Sequence, residues 1–172
     1  MTVWLHGIGF DDRDIVAGVV VDPEKEAYSG GNIDDIFDQL RLSPPRQHPF
    51  ALIDGKRVVG FIVAREGPAR PVWAERDCMT LNNLRIDSRF QRRGYGKAAI
   101  QLAAQWIAQA RPSVRHVMSS VNVDNLPAFH LNVACGLAPT GRIVEGRLGS
   151  QKIMSAPIER LCSGQSTSTR SL

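Results

Sequence analysis

A single α/β domain, built on a mixed β-sheet with helices on both faces, is predicted from three observations. The 172 residues suit one domain of ordinary size. Stretches with strand-like patterns alternate with stretches of helical periodicity along the chain. A strand–helix–strand unit spans Cys78 to Val121, which predicts a right-handed crossover between two parallel strands. We expect the domain to occupy residues 1–162 and the Ser/Thr-rich residues 163–172 to form a disordered tail.

The N-terminal region is predicted to be helical from Pro23 to Leu42. The Gly30-Gly31 pair breaks this stretch, because glycine is a poor helix former. Asp34 and Asp35 then favour a new helix start, since carboxylates stabilise the first turn of a helix. The Pro44-Pro45 pair ends the helical region.

A β-hairpin and a further strand are predicted next. The Asp54-Gly55 pair lies between apolar runs at 50–53 and 57–64, which is a strong hairpin signal. Residues 67–75 contain two prolines and are predicted to form a loop. The next strand is expected at 78–86, where alternation puts Leu84 and Ile86 on one face.

The C-terminal half is predicted to alternate between helices and strands. Its predicted elements are a helix at 94–110, a strand at 114–121, a short helix at 125–134 and a terminal hairpin at 137–158. Helical spacing of apolar residues indicates the first helix, and Pro112 ends it. Asp124 is the predicted N-cap of the short helix, and Gly136 follows its C-terminal end.

Composition excludes several classes of protein. The three cysteines are odd in number and lack CxxC spacing, and the four histidines are far apart, so we expect neither a disulfide framework nor a metal site. No apolar run is long enough to span a membrane, and residues 1–10 do not resemble a secretion signal. We therefore expect a cytoplasmic protein with no membrane partner.

Charge is distributed unevenly along the chain. Acidic residues are concentrated in the first forty positions, and basic residues at 85–97. This pattern predicts either two oppositely charged sides of one cleft or ordinary solvated surfaces. The net charge of +4 fits a pocket for an anionic cofactor together with a basic tail, and it equally fits a surface for nucleic acid.

The glycine-containing segment Gln91–Lys97 is the most informative motif. It lies between a predicted strand and the start of a long helix, where backbone N–H groups bind anions such as phosphate. The chain has no P-loop string, and the dinucleotide-type match at 94–99 lacks the acidic residue expected about twenty positions further on. Basic residues without interleaved aromatic residues argue against a nucleic-acid surface.

Two signatures carry a resemblance to a known family. The segment Leu84-Arg-Ile-Asp-Ser-Arg-Phe-Gln-Arg-Arg-Gly-Tyr-Gly-Lys-Ala-Ala99 resembles motif A of the GNAT-type N-acetyltransferases. The segment Asn125-Leu-Pro-Ala-Phe-His-Leu-Asn-Val-Ala-Cys-Gly-Leu137 resembles the second signature of that family. The resemblance covers about residues 49–141, and the finer pattern of motif A is similar to the diamine and spermine/spermidine acetyltransferase branch.

The resemblance implies a GNAT-like mixed sheet with one splayed parallel strand pair, and acetyl-CoA as the cosubstrate. It implies that the amides of 92–97 hold the pyrophosphate and that the strand backbone at 84–86 pairs with the pantetheine arm. The implied cofactor-binding residues are Leu84, Arg85, Ile86, Gln91, Arg92, Arg93, Gly94, Tyr95, Gly96, Lys97 and Asn125. A small-molecule amine is the implied partner, and a homodimer stays open.

The chain departs from the family pattern at two expected catalytic positions. Asn82 stands where many members have a glutamate, and Asn132 where many have a tyrosine. An amide neither takes nor gives a proton, so Asn82 is expected to orient a water and Asn132 to donate a hydrogen bond to the departing sulfur. Glu75 or Asp77 are alternative bases or solvated acids, and His130 is expected on the surface.

The acceptor is predicted from the N-terminal acids. In the family this region folds over the acceptor side of the cleft, so Glu26, Asp34 and Asp35 are the expected contacts for a second ammonium group. A diamine or polyamine is therefore the predicted acceptor. Two other hypotheses remain: a protein or peptide N-acetyltransferase, and a catalytically weak acetyl-CoA-binding module.

Overall fold

The computed structural model describes residues 2–43 and 45–163. The strands are β1 (Val3–Gly7), β2 (Gln47–Asp54), β3 (Arg57–Arg65), β4 (Cys78–Ile86), β5 (His116–Asn122), β6 (Ala138–Gly146) and β7 (Gly149–Pro157). The helices are α1 (Arg13–Val16), α2 (Pro23–Tyr28), α3 (Ile33–Leu42), α4 (Tyr95–Ala110), α5 (Leu126–Cys135) and α6 (Ile158–Cys162). Apart from Ser163, the predicted disordered tail lies outside the described residues. No helix in the described ranges is long and apolar enough to cross a membrane.

All seven described strands form one sheet, in the order β1-β2-β3-β4-β5-β7-β6. Neighbouring strands are antiparallel except β4 and β5, which are parallel and joined through α4. The predicted mixed sheet is confirmed, as is the predicted parallel pair joined by a helix. The crossover places the start of α4 at the end of β4, where the glycine-containing segment lies.

The parallel pair opens partway along its length. β4 and β5 pair only from Cys78 opposite His116 to Thr80 opposite Met118. Beyond these residues β4 continues to Ile86 without pairing to β5. Asn83 has a φ of 56°, and the pairing of β3 with β4 shifts register beside it, so β4 bulges where the strands separate. The predicted splayed pair is therefore confirmed, and it leaves a gap through the sheet.

Each face of the sheet is covered by a different group of helices. On one face, apolar residues of α4, α5 and α6 pack against Ile62, Met79 and Met154. On the other face, α1 and α3 pack against Phe61 and Val63. Because Phe61 and Ile62 are consecutive in β3, their side chains alternate between the two cores. The gap between β4 and β5 therefore joins two differently built sides of the molecule.

Several local predictions were incomplete or wrong, and the short helices α1 and α6 were not predicted. β1 was not predicted, because Val3–Gly7 is half exposed and shows no clear alternation until it pairs with β2. The first hairpin strand starts at Gln47 rather than Phe50, because β2 continues to pair with β3 as far as Arg65. The N-cap of α5 is Asn125 rather than Asp124, since the Asn125 side-chain carbonyl accepts a hydrogen bond from the backbone N–H of Ala128 at 3.3 Å.

Candidate active site

A cleft of about 880 Å³ occupies the gap in the sheet. Its walls come from α2 and the turn after it, from β3, β4 and β5, and from the starts of α4 and α5. The turn between β6 and β7 reaches the same cleft, because Arg147 donates a hydrogen bond to the Ala27 carbonyl at 3.1 Å. Nearly every part of the fold around the gap therefore contributes to one site.

The glycine-containing segment presents free backbone donors to this cleft. Gly94 is the N-cap of α4 and has a φ of 85°, a conformation that glycine adopts without strain. Within the described chain, no acceptor bonds the backbone N–H groups from Arg92 to Lys97. Unbonded N–H groups at the start of a sixteen-residue helix suit a phosphate group. The segment therefore fits the pyrophosphate of the predicted cosubstrate.

Gly96 also has a packing role that the sequence did not indicate. A Cβ atom at this position would lie 2.9 Å from Cδ2 of Leu131. A larger side chain would push α4 away from α5, which carries Asn125 and Asn132. Gly96 therefore sets the distance between α4 and α5, whose N-terminal ends both line the cleft.

Gln91 and Tyr95 hold the segment in place. The Gln91 amide donates to the Ile86 carbonyl at 2.9 Å and accepts from Lys25 Nζ at 2.6 Å. The Tyr95 hydroxyl donates to Asp54 Oδ2 at 2.6 Å, and this hydrogen bond is the main reason that the pKa of Tyr95 is raised. Tyr95 is almost fully buried, so its side chain anchors the helix start to the β2–β3 hairpin.

The remaining predicted cofactor-binding residues also line the cleft, except Arg93, which is exposed and lies over the Phe90 ring. Leu84 and Ile86 line the cleft on the part of β4 whose free edge faces the gap. Asn125 lines it at the start of α5, where it also caps that helix. Arg85 differs, because its guanidinium lies on the opposite face and donates to the Ser29 and Gly31 carbonyls at 3.3 and 2.6 Å.

The two predicted catalytic asparagines both line the cleft. The Asn82 amide nitrogen donates to the backbone oxygen and the hydroxyl of Thr80, and no described group donates to its carbonyl oxygen. Asn132 is buried, accepts from the Ser119 hydroxyl at 2.7 Å and donates to the Ala128 carbonyl at 2.8 Å. Asn82 therefore offers a free acceptor, and Asn132 is held rigidly between α5 and β5.

The predicted acceptor acids lie elsewhere. Asp34 pairs with Arg13, whose hydrogen bond lowers the pKa of the Asp34 carboxyl. Glu26 and Asp35 are on α2 and α3 but are not among the cleft-lining residues, and Glu75 is exposed before β4. The structure thus brings the cofactor-binding and catalytic predictions together and leaves these four acids outside the cleft. Their contact with an acceptor stays a prediction.

Glu75 instead approaches two other potential metal ligands. Its carboxylate, that of Asp77 and the ring of His116 place one ligand atom each within 4.8 Å of one another. His116 is 39 positions further along the chain than Asp77, so sequence spacing could not reveal this group. The cluster lies where β4 and β5 begin to pair, outside the cleft, and both carboxylates are exposed.

Sequence reasoning missed several polar residues of the cleft, and two of them, Arg65 and Asn83, bond to each other. The Arg65 guanidinium donates to Asn83 Oδ1 at 3.2 Å, and the Asn83 amide donates to the Ser29 carbonyl at 3.1 Å. A usable signal was present for each. Arg65 directly follows an apolar run at 58–64, and asparagine is among the residues that tolerate positive φ in a bulge.

Comparisons with known proteins bear on this site. A family model described as the acetyltransferase (GNAT) family matches residues 12–137. No curated protein sequence matches the chain. Among solved structures, aminoglycoside acetyltransferase AAC(6')-Ib with ribostamycin and coenzyme A is 14% identical, with a TM-score of 0.78, over 97% of this chain and 99% of that one.

Two further structures are similar. Spermidine N-acetyltransferase from Vibrio cholerae, in complex with CoA and spermine, is 18% identical, with a TM-score of 0.69, over 92% of this chain and 97% of that one. An acetyltransferase from Thermus thermophilus is 24% identical, with a TM-score of 0.67, over 91% of this chain and 97% of that one. At these identities the likeness establishes the fold.

The matched residues 12–137 include both sequence signatures, the splayed pair β4 and β5, and most of the residues that line the cleft. The predicted fold is confirmed by this match and by the similar structures, and the predicted enzyme class and cosubstrate are confirmed by the family match. The chain belongs to the GNAT family of acetyltransferases, with acetyl-CoA as its cosubstrate.

Proposed function

We propose that the protein transfers the acetyl group of acetyl-CoA to a primary amine of a small molecule, by direct attack of the amine. The observation that carries this proposal is the gap between β4 and β5. It joins the free amides of the glycine-containing segment to a polar chamber on the opposite face of the sheet. When bound, acetyl-CoA supplies an activated thioester, and the protein must orient an amine beside it.

Attack requires a neutral amine. An alkylammonium of pKa near 10.4 costs about 4–5 kcal/mol to deprotonate at pH 7. Within residues 2–43 and 45–163, the cleft lining contains no aspartate, glutamate or histidine. The free carbonyl oxygen of Asn82 can accept a hydrogen bond from the amine or from a water that carries its proton away.

Two arginines of the chamber assist the same step. Arg65 and Arg85 line the cleft, and burial lowers the pKa of each guanidinium. Positive charge near the acceptor disfavours its ammonium form, so these residues lower the cost of deprotonation. The Asn132 amide nitrogen carries two hydrogens, and one of them bonds to the Ala128 carbonyl. We assign the second N–H as the hydrogen-bond donor to the departing sulfur.

The finer prediction of a diamine or polyamine acceptor draws support from the similar structures, two of which hold ribostamycin and spermine as bound molecules. The N-terminal acids that first suggested it do not line the cleft. Protein acetylation and simple acetyl-CoA binding remain the alternatives. The polar chamber, which is partly closed by the contact of Arg147 with α2, favours a small molecule over a peptide.

Release of free thiol from acetyl-CoA, measured against a panel of amines, tests this proposal. We expect amine-dependent thiol release, with the acetylated amine as the second product, and no comparable release without amine. A peptide set and a small-amine set should be run side by side. Tight acetyl-CoA binding with no amine-dependent release would support the binding module instead. Faster turnover of peptides than of every small amine would support the protein-modifying alternative.

A further inference from the structure

The titratable side chains of the cleft are almost all positively charged. Six basic residues and two tyrosines line it, and the described lining contains no acidic residue or histidine. The six basic residues are Lys25, Arg65, Arg85, Arg92, Lys97 and Arg147. Arg92 and Lys97 belong to the glycine-containing segment and suit the phosphates of the cosubstrate. The other four require a separate explanation.

Arg85 and Arg65 are the least solvated of the remaining four. Arg85 is only 3% exposed, and it is bonded to two backbone carbonyls of the turn between α2 and α3. Arg65 is half-buried and donates to the amide oxygen of Asn83. In both residues the buried Nε atom has no hydrogen-bond partner among the described residues. Among the described residues, no carboxylate oxygen lies within 4 Å of either guanidinium group.

Buried cations in proteins are normally paired, because removing a charge from water is costly. Glu26 is close enough to raise the pKa of Arg85, but burial lowers that pKa by more. Glu66, which follows Arg65, is bonded instead to Arg111 and His48. The protein therefore supplies neutral partners to two guanidinium groups and leaves their countercharge missing. That countercharge would have to come from a ligand.

We propose that the acceptor is an amine that also carries a carboxylate, bound by Arg65 with Arg85 behind it; this inference rests on the proposed acetyl transfer. Arg65 is opposite Thr80 in the β3–β4 ladder, and Asn82 lies two residues further along β4. The backbone positions of two residues in such a diagonal pair are about 7–8 Å apart. A carboxylate on Arg65 and an amine beside Asn82 can therefore belong to one small molecule of amino-acid type.

Matched pairs of acceptors test this inference. Lysine and 1,5-diaminopentane differ only in the carboxylate, as do ornithine and 1,4-diaminobutane. We expect kcat/KM to be about tenfold or more higher for the amino acid of each pair. The Arg65→Gln variant should lose that preference, mainly through a higher KM for the amino acids. Arg65→Lys should keep part of the preference, because the positive charge is retained. The rest is lost, because an ammonium group cannot form the two parallel hydrogen bonds that a guanidinium makes to a carboxylate.

Arg57→Gln is the matched control. It makes the same change at the other end of β3, at an exposed position outside the cleft, and it should leave both members of each pair unaffected. Equal kcat/KM within the pairs, or a preference for the diamines, would overturn the inference while leaving acetyl transfer intact. If neither member of any pair, nor any other amine, is acetylated, the proposed function itself is wrong.

Discussion

The left-handed conformation of Gly94 allows the anion-binding role of the helix start to be tested directly. Gly94→Ala would force a side chain into a φ of 85°, which costs about 1–2 kcal/mol. For a domain of this size, that corresponds to a decrease of about 2–8 °C in Tm. The strained residue would relax by turning nearby amides away from their present directions, among them the free N–H groups of 92–97.

The expected loss of affinity follows from those amides. One hydrogen bond to a charged group contributes about 1.5–3 kcal/mol, so losing one weakens coenzyme A binding by roughly 10- to 150-fold. Isothermal calorimetry with coenzyme A measures this loss, and thermal unfolding measures the strain. KM for acetyl-CoA should rise in parallel with Kd.

Gly141 provides a matched control for strain alone. It has a φ of 84°, and a Cβ atom there would meet nothing within 4 Å. Gly141→Ala should therefore lower Tm by about as much as Gly94→Ala but leave coenzyme A affinity unchanged. If Gly94→Ala bound coenzyme A as tightly as the wild type, the amides of this segment would not be the phosphate site.

Three further predictions concern other parts of the site and fold. Tyr95→Phe, which removes the hydrogen bond to Asp54, should lower the unfolding free energy by about 1 kcal/mol and leave kcat unchanged, and a large loss of kcat would contradict a packing role. Asn132→Ala should lower kcat about tenfold, by one hydrogen bond of about 1.4 kcal/mol, and a thousandfold loss would mean a larger role. Arg111 lowers the pKa of Glu66 to about 2, below its usual value of 4.5, so this pair stabilises the fold above pH 4.5 and loses its effect as pH falls toward 2. Denaturant unfolding at several pH values should accordingly show Glu66→Gln to be less stable than the wild type by about 2 kcal/mol at pH 7, with the difference shrinking below pH 4.5.

Local sequence alone determined much of the architecture. The Gly30-Gly31 pair separates α2 from α3, the Asp54-Gly55 pair forms a hairpin turn, and Pro112 follows the end of α4. Glycine and proline act on their own backbone torsions, so their effects do not depend on distant residues. The same holds for Gln91–Lys97, because an anion site made of backbone amides needs only a strand end, glycine and a helix start.

β1 shows where local sequence was insufficient. Val3–Gly7 has little alternation of its own, and it is a strand because β2 offers it a free edge. Local sequence was also insufficient to predict which ion pairs form. Asp34 follows a glycine pair near the cleft, yet Arg13, 21 positions earlier, holds its carboxylate outside it. The packing of α1 against α3 therefore decides that Asp34 pairs with Arg13.

The sequence by itself determined the family and the α/β order, because both depend on short motifs that fix the local backbone. It also predicted the glycine-containing segment, which lines the cleft. Tertiary structure decided which side chains form the proposed acceptor chamber. Arg65 from β3, Asn82 and Asn83 from β4 and the turn after α2 meet only because β4 bulges and separates from β5. The positive charge of this chamber comes from Arg65 and Arg85, which are 20 positions apart in the sequence and come together only in the folded sheet.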